Sequence, residues 1–323
     1  MNTKTYIYEA KDAVSAAAYC PKKLTAIHAG IAAGAGLLVA LLSYLLSTGI
    51  GGTGGLGGIG TRAALETAQS ILELAIAILA PFWSLGFVAA ALQFARRQQV
   101  GPHTLLTGFR CWGPALRLML LEGLLCFAVI LVTMQAGSYL YLLSPFSAPL
   151  TALLQQAEAL GITDLTAMID LIAAQDQQVL RSITLSSLIF LGIPPLVVLI
   201  PLAYRLRLAQ YILVDRPRLG AMFALMLSFK LTKHQCRKLF ALDLRFWWFY
   251  ALEILVQILC YGDLLLPLLG LELGMNGVLA SFLFYALALV CQTGLYVWKK
   301  PQVLTSYALF FDHLLPTEEG KAA

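Results

Sequence analysis

The chain has 323 residues, 59% of them hydrophobic and only 12% charged, with a mean hydropathy of +0.79. Soluble domains carry roughly 45 to 50% apolar residues, and a water-soluble chain of this length could not hide so much apolar surface, so lipid is the expected solvent for most of it. The formal net charge of +5 does not by itself point to nucleic acid, because the sum means nothing until the charges are placed between the apolar segments.

Residues 1–23 carry Lys4, Lys11, Lys22 and Lys23 ahead of an apolar run that is longer than the core of a signal peptide and lacks a small-residue cleavage site. They read as a cytoplasmic segment before a retained first span. Six apolar segments reach the about 20 residues needed to cross a bilayer as helices. They lie near 24–48, 69–95, 115–142, 182–204, 246–267 and 277–298. The expectation is an all-α polytopic protein with six transmembrane helices and interfacial amphipathic helices.

The first outer connection holds "GIGGTGGLGGIG", residues 49 to 60. Gly52, Gly54 and Gly57 formally spell a dinucleotide loop, but no strand precedes them and no lysine accompanies them, so a flexible loop explains them better. The second outer connection, 143–181, carries Glu158, Asp164, Asp170 and Asp176, with Leu165, Met168, Ile169 and Ile172 at helical spacing. It reads as a helical loop lying on the outer face, one helix capped by Thr163 or Asp164.

Placing the N-terminus in the cytoplasm puts 20 of the 22 Lys and Arg on that side and leaves Arg62 and Arg181 outside. That asymmetry predicts both termini cytoplasmic, with a basic cytoplasmic segment at 205–245 and a cytoplasmic tail at 299–323. No cysteine falls in an outer loop, so the six imply no disulfide framework.

An offset of 120 residues lays the two halves over each other, pairing Pro81 with Pro201, Arg96 with Arg216, Phe109 with Phe229 and Arg110 with Lys230. One residue later "RLMLLE" (117–122) overlies "KLFALD" (238–243). Spans 2–3 and 4–5 thereby form a parallel internal repeat, related by an axis along the membrane normal.

The stretch "QYILVDRPRLGAMFALMLSFKLTKHQCRKLFALDLRFWW" has an acidic-x-Pro entry, a Ser, a basic run and a Leu-Phe-x-Leu-x-Leu-x-Phe-Trp ending. Tyr211, Asp215, Pro217, Ser228, Leu239, Phe240, Leu242, Leu244, Phe246 and Trp247 take those places. This region resembles the signature of an uncharacterised family of multi-pass membrane proteins of Gram-positive bacteria, domain of unknown function 975. The resemblance implies the fold class and a bacterial plasma membrane, and it carries no activity.

Within that stretch, Asp215 and Pro217 supply a helix start, Leu219, Met222, Phe223 and Met226 an apolar face, and Lys230, Lys233, Arg237 and Lys238 a basic one suited to anionic phospholipid headgroups. Phe246, Trp247 and Trp248 read as an aromatic belt where the chain re-enters lipid, not as a nucleic-acid platform. The C-terminal "QVLTSYALFFDHLL" (302–315) looks amphipathic and suited to the same surface.

Glu253 and Gln257 lie one turn apart in the fifth span, and Ser281, Tyr285, Gln292 and Tyr296 fall along one stripe of the sixth. An ionisable group at that depth costs on the order of 3 kcal/mol on insertion scales, which makes it either a protonatable or ligand-orienting site or a polar clamp between two helices. Glu122 and Asp243 each follow a base, Arg117 and Lys238, by five residues, about 140° around a helix. Crossed pairs, Glu122 with Lys238 or Arg245 and Asp243 with Arg117, would tie the two repeats. His103, Cys111, His234 and Cys236 lack zinc-site spacing. Neither a catalytic constellation nor a cofactor is expected. The function that fits is a non-enzymatic accessory or scaffold protein in envelope or transport processes, contacting lipid with another membrane protein as a candidate partner, and a small transporter or flippase-like protein is the alternative.

Overall fold

The computed structural model describes residues 3–17, 19–47, 56–161, 164, 171, 176–262 and 277–315. Among them all regular structure is helical. The helices are α1 (Thr3–Ser15), α2 (Pro21–Ser47), α3 (Leu56–Ala95), α4 (Thr107–Arg110), α5 (Trp112–Leu143), α6 (Ala148–Ala159), α7 (Gln177–Ser187), α8 (Ile193–Leu206), α9 (Ala209–Asp215), α10 (Ala221–Thr232), α11 (Cys236–Arg245), α12 (Trp247–Leu259) and α13 (Gly277–Leu314). Five stretches are long and apolar enough to cross a membrane: Pro21–Ser47, Arg62–Ala95, Trp112–Leu143, Gln178–Asp215 and Val278–Leu314. The expected span at 246–267 corresponds to α12, which is apolar but only 13 residues long. Residues 263–276, most of the glycine-rich stretch, and the expected outer helix around Leu165 to Ile172 lie outside the described residues, apart from Leu171.

The long helices turn apolar side chains outward. Leu120, Leu124, Phe127, Leu131 and Val132 on α5, and Leu196, Val197 and Ile200 on α8, are all exposed. Water would penalise each such side chain by about 1.5 to 3 kcal/mol, so these surfaces belong in lipid.

The chain divides into two compact units. The first comprises residues 1–119 and 207–323. Its core gathers Leu24, Phe87, Ala90, Phe94, Val100 and Leu105. In α3, Gly86 and Gly108's partner Phe82 meet the turn-back segment at van der Waals limit: a Cβ at Gly86 would stand 1.9 Å from the Leu105 carbonyl oxygen, and one at Gly108 2.0 Å from that of Phe82. Only glycine lets the segment 102–110 fold back so closely on the helix it follows.

The second unit is residues 120–206. Here α7 widens into a π turn at Leu188–Gly192 immediately before Pro194 and Pro195. Neither proline has an N–H to donate, so the carbonyls four residues back lose their helical partners and the ladder slips. One of those carbonyls is Phe190, and a Cβ on Gly137 of α5 would lie 2.1 Å from its oxygen. The break and the small residue are thus packed against each other. Tyr141 of α5 closes the contact, its hydroxyl accepting from Ser186 Oγ at 3.1 Å and its ring tilted against Phe190 with centres 5.7 Å apart.

Four expectations are corrected. Asp215 does not start a helix but ends α9; Pro217 opens a single 3₁₀ turn, Pro217–Leu219, and α10 starts at Ala221, after Gly220, whose φ of +79° suits glycine. Of the expected aromatic belt only Trp247 points outward, since Phe246 is buried in the core and Trp248 packs at a tilt against Trp298, ring centres 5.3 Å apart. Residues 302–314 do not form a separate surface helix: they continue α13 through Pro301, and Tyr307, Ala308, Phe310 and Phe311 are buried. The N-terminal segment, expected only as a basic flank, forms α1 and packs on that same end of α13 through Tyr6, 5.6 Å from Phe310.

Candidate functional site

The sixth apolar segment carries Gln292, Tyr296 and Lys300 at spacings of four, so α13 projects them as one polar stripe. The Tyr296 hydroxyl donates to Glu253 Oε1 of α12 at 2.6 Å and accepts from Gln292 Nε2 at 3.0 Å. Lys300 Nζ stands 3.7 Å from the centre of the Tyr296 ring, a cation–π contact. The phenol therefore lies between a carboxylate at its hydroxyl and an ammonium on its face.

Opposite this stripe, α2 supplies His28 and α3 supplies Trp83. The imidazole is 7% exposed, stacks on Trp83 with ring centres 5.6 Å apart and 10° between planes, and leans on Phe87 at 4.7 Å. Trp83 Nε1 donates to the His28 carbonyl at 3.0 Å. Among the described residues neither ring nitrogen of His28 meets a partner at hydrogen-bonding geometry. His28, Ser84, Gln292, Thr293, Tyr296 and Lys300 line a chamber of about 240 Å³.

Of the residues expected at this site, Glu253 and Gln292 do come together, joined through Tyr296. Gln257 is exposed. Tyr285 lines a different cavity of about 530 Å³, with Ser43, Tyr44, Cys260 and Ser281.

A second polar centre joins segments remote in sequence. Arg96, one residue past α3, bonds Asp312 of α13 through Nε and Nη2 and Asp215 of α9 through Nη1. Burial alone would lower the Arg96 pKa, but the hydrogen bonds it donates to Asp312 and Asp215 overrule it and raise it above the ordinary value. In a further polar cluster Arg207 Nη1 bonds Asp243 Oδ2 at 2.7 Å, Arg207 Nη2 reaches the Tyr250 hydroxyl at 3.2 Å, and the guanidinium lies 3.8 Å over the Tyr307 ring. Tyr250 in turn contacts Asp243 and the Tyr307 hydroxyl, both at 3.1 Å.

The Asp243 carboxylate, expected to meet Arg117, takes Arg207. Arg117 is exposed near the start of α5, and Glu122 stands further along the same helix. Arg245 Nε bonds Thr3 Oγ1 of α1 at 3.0 Å. Lys230, Lys233, Arg237 and Lys238 are all exposed, and none enters an ion pair among the described residues. Among the described residues no three His, Cys, Asp or Glu side chains gather in a group that could hold a metal.

Sequence reasoning missed His28, Arg207, Tyr307, Lys300 and Asp312 as partners. Lys300 was findable, four residues beyond Tyr296 on the stripe already drawn. His28 gives no sequence signal, because a lone histidine near a span start looks the same whether it faces lipid, core or chamber.

A family model described as "Protein of unknown function (DUF975)" matches residues 24–316, and the chain belongs to that family. No curated protein and no solved structure matches it.

Proposed function

We propose that this member of the DUF975 family is a non-enzymatic accessory or scaffold protein of a bacterial plasma membrane, with both termini cytoplasmic, which rests the basic surface of α10 and α11 on anionic phospholipid headgroups. The observation that carries the reading is the company those cations keep. Lys230, Lys233, Arg237 and Lys238 are exposed and enter no ion pair among the described residues, and Met222, Phe223, Met226, Phe240 and Leu244 on the same two helices are exposed large apolar side chains. Apolar side chains beside such cations suit a headgroup boundary, where each cation gains about 1 kcal/mol from an anionic surface. A six-span arrangement with a parallel repeat agrees with the way both connecting segments fold back, α4 on α3 and α10 on α9.

The test is retention of phosphatidylglycerol over phosphatidylcholine by the full-length protein in mixed-lipid nanodiscs, counted by native mass spectrometry. Wild type should retain the anionic lipid preferentially, and a variant with Lys230, Lys233, Arg237 and Lys238 all changed to Gln should not. Equal retention by both proteins overturns the lipid contact.

The short bond between Glu253 and Tyr296 favours one second reading, a small transporter with its polar site between the fifth and sixth apolar segments. Proton or solute flux in reconstituted vesicles that Glu253→Gln abolishes would establish it and remove the scaffold.

A further inference from the structure

The chamber between α2, α3 and α13 combines three features that a clamp between helices does not need. His28 is 7% exposed, yet among the described residues neither of its ring nitrogens meets a partner at hydrogen-bonding geometry. A buried polar group left in that state costs about 1 to 3 kcal/mol, so the fold retains an imidazole where an apolar side chain of similar size would be cheaper unless something meets it there. Lys300 brings its amine to the same chamber and has no carboxylate within 4.0 Å among the described residues. The nearby carboxylate, Glu253, is already taken by the Tyr296 hydroxyl. Finally, His28, Tyr296 and Lys300 line about 240 Å³ of space together with Ser84, Gln292 and Thr293, on walls otherwise made of alanines, Leu289 and Trp83.

We propose that this chamber is a binding site for a phosphate group. Lysine binds phosphate as a point charge, and residues with hydroxyl, amide and imidazole groups placed around one space by three different helices suit a tetrahedral oxyanion. The Trp83 ring, stacked on the imidazole and anchored to the His28 carbonyl, holds His28 in place. The position along α13 agrees: Lys300 follows the exposed Trp298 by two residues, and Lys299 Nζ lies 5.3 Å from that indole, the pairing of aromatic and cation found at headgroup depth. The phosphate therefore comes either from a phospholipid headgroup or from a free phosphate in solution. The site goes beyond the lipid surface proposed above, whose cations lie on α10 and α11, and it requires no flux.

Two arms on the full-length protein separate the sources. Each uses the variant lacking the four surface cations as background, so that failure of the surface reading leaves the chamber testable. In the first, native mass spectrometry counts phospholipid retained in mild detergent. In the second, the delipidated protein is titrated with inorganic phosphate by isothermal calorimetry. One arm should show a single bound equivalent that Lys300→Gln weakens at least tenfold and Thr293→Val weakens by a smaller factor. Thr293→Val keeps volume and charge, so it stands as the probe if Lys300→Gln fails to fold. A lipid equivalent assigns a headgroup and a phosphate equivalent assigns a free anion. No bound equivalent in either arm, or one that both substitutions leave unchanged, overturns the proposal.

Discussion

Arg96 grips Asp312 with two edges of its guanidinium, Nε at 3.2 Å and Nη2 at 2.7 Å, across 216 residues of sequence. Its remaining Nη1 holds Asp215, so one side chain locks the ends of α3, α9 and α13 together. All three side chains are no more than 30% exposed, enough shielding for the pair to matter but not enough to make it a fully buried one. Arg96→Gln should therefore cost about 2 to 3 kcal/mol, chiefly by leaving two carboxylates side by side without their cation. Arg96→Lys should recover part of that, since it restores the charge without the fork. Thermal unfolding of the purified protein checks the order, and a Lys variant no better than Gln would show that charge is not what holds the three ends.

The pair of Arg207 and Asp243 makes a sharper comparison, because the sequence offers Arg117 as the competing partner. Asp243→Asn should lower stability by about 2 kcal/mol, since it weakens a charge-assisted bond and disturbs the Tyr250 hydroxyl on the same carboxylate. Arg117→Gln, at an exposed position, should change it by about 0.5 kcal/mol or less. A double-mutant cycle between Asp243 and Arg207 should show coupling that one between Asp243 and Arg117 lacks. The reverse result would restore the crossed pairing of the two repeats.

These two centres also show what was legible beforehand. The long apolar helices follow from hydropathy alone, because lipid accepts any outward apolar side chain and every long run is therefore a helix. The stripe of Gln292 and Tyr296 was readable for the same reason: polar residues in such a run stand out, and helical spacing places them on one face. Glu253 facing that stripe followed from adjacency of the two segments. Arg96 with Asp215 and Asp312 was not readable, since the partners are 119 and 216 residues away and their flanks look like ordinary solvated charge. The C-terminal segment misled for a related reason. Its apolar face, with Tyr307, Phe310 and Phe311, is equally suited to a lipid surface and to a protein core, and only the presence of α1 and α9 decides.

Glycine supplies a third prediction. Alanine at Gly86 or Gly108 would place a methyl group 1.9 or 2.0 Å from a backbone carbonyl oxygen, which cannot rotate away as a side chain could. Each substitution should cost about 1 to 3 kcal/mol through displaced backbone, outweighing the better helix propensity of alanine. Gly113 and Gly123, with nothing within 4 Å of the added atom, serve as controls and should be neutral or slightly stabilised by alanine. Gly137→Ala should act like the first pair, because it drives a methyl into the Phe190 carbonyl at the proline break. Unfolding midpoints for the five variants give the comparison, and a neutral Gly86→Ala would mean that the fold-back segment is not seated on α3.

The docking of α1 gives a dependence on pH. Tyr6 is 3% exposed between Phe310 and His313 of α13, and burial first, then the negative charge of Glu9, push its phenol above the ordinary 10.0. A phenol whose pKa is higher folded than unfolded adds stability that is whole below pH 10 and is lost as the pH climbs through the folded value, because the unfolded chain gives up its proton first. Wild type should therefore show a stability loss on alkaline titration that Tyr6→Phe does not share, while the two proteins stay close at neutral pH. The difference between their unfolding midpoints, followed from pH 8 to 11, isolates Tyr6 from the lysines that titrate in the same range. Parallel curves would place the Tyr6 hydroxyl in contact with water and α1 away from the end of α13.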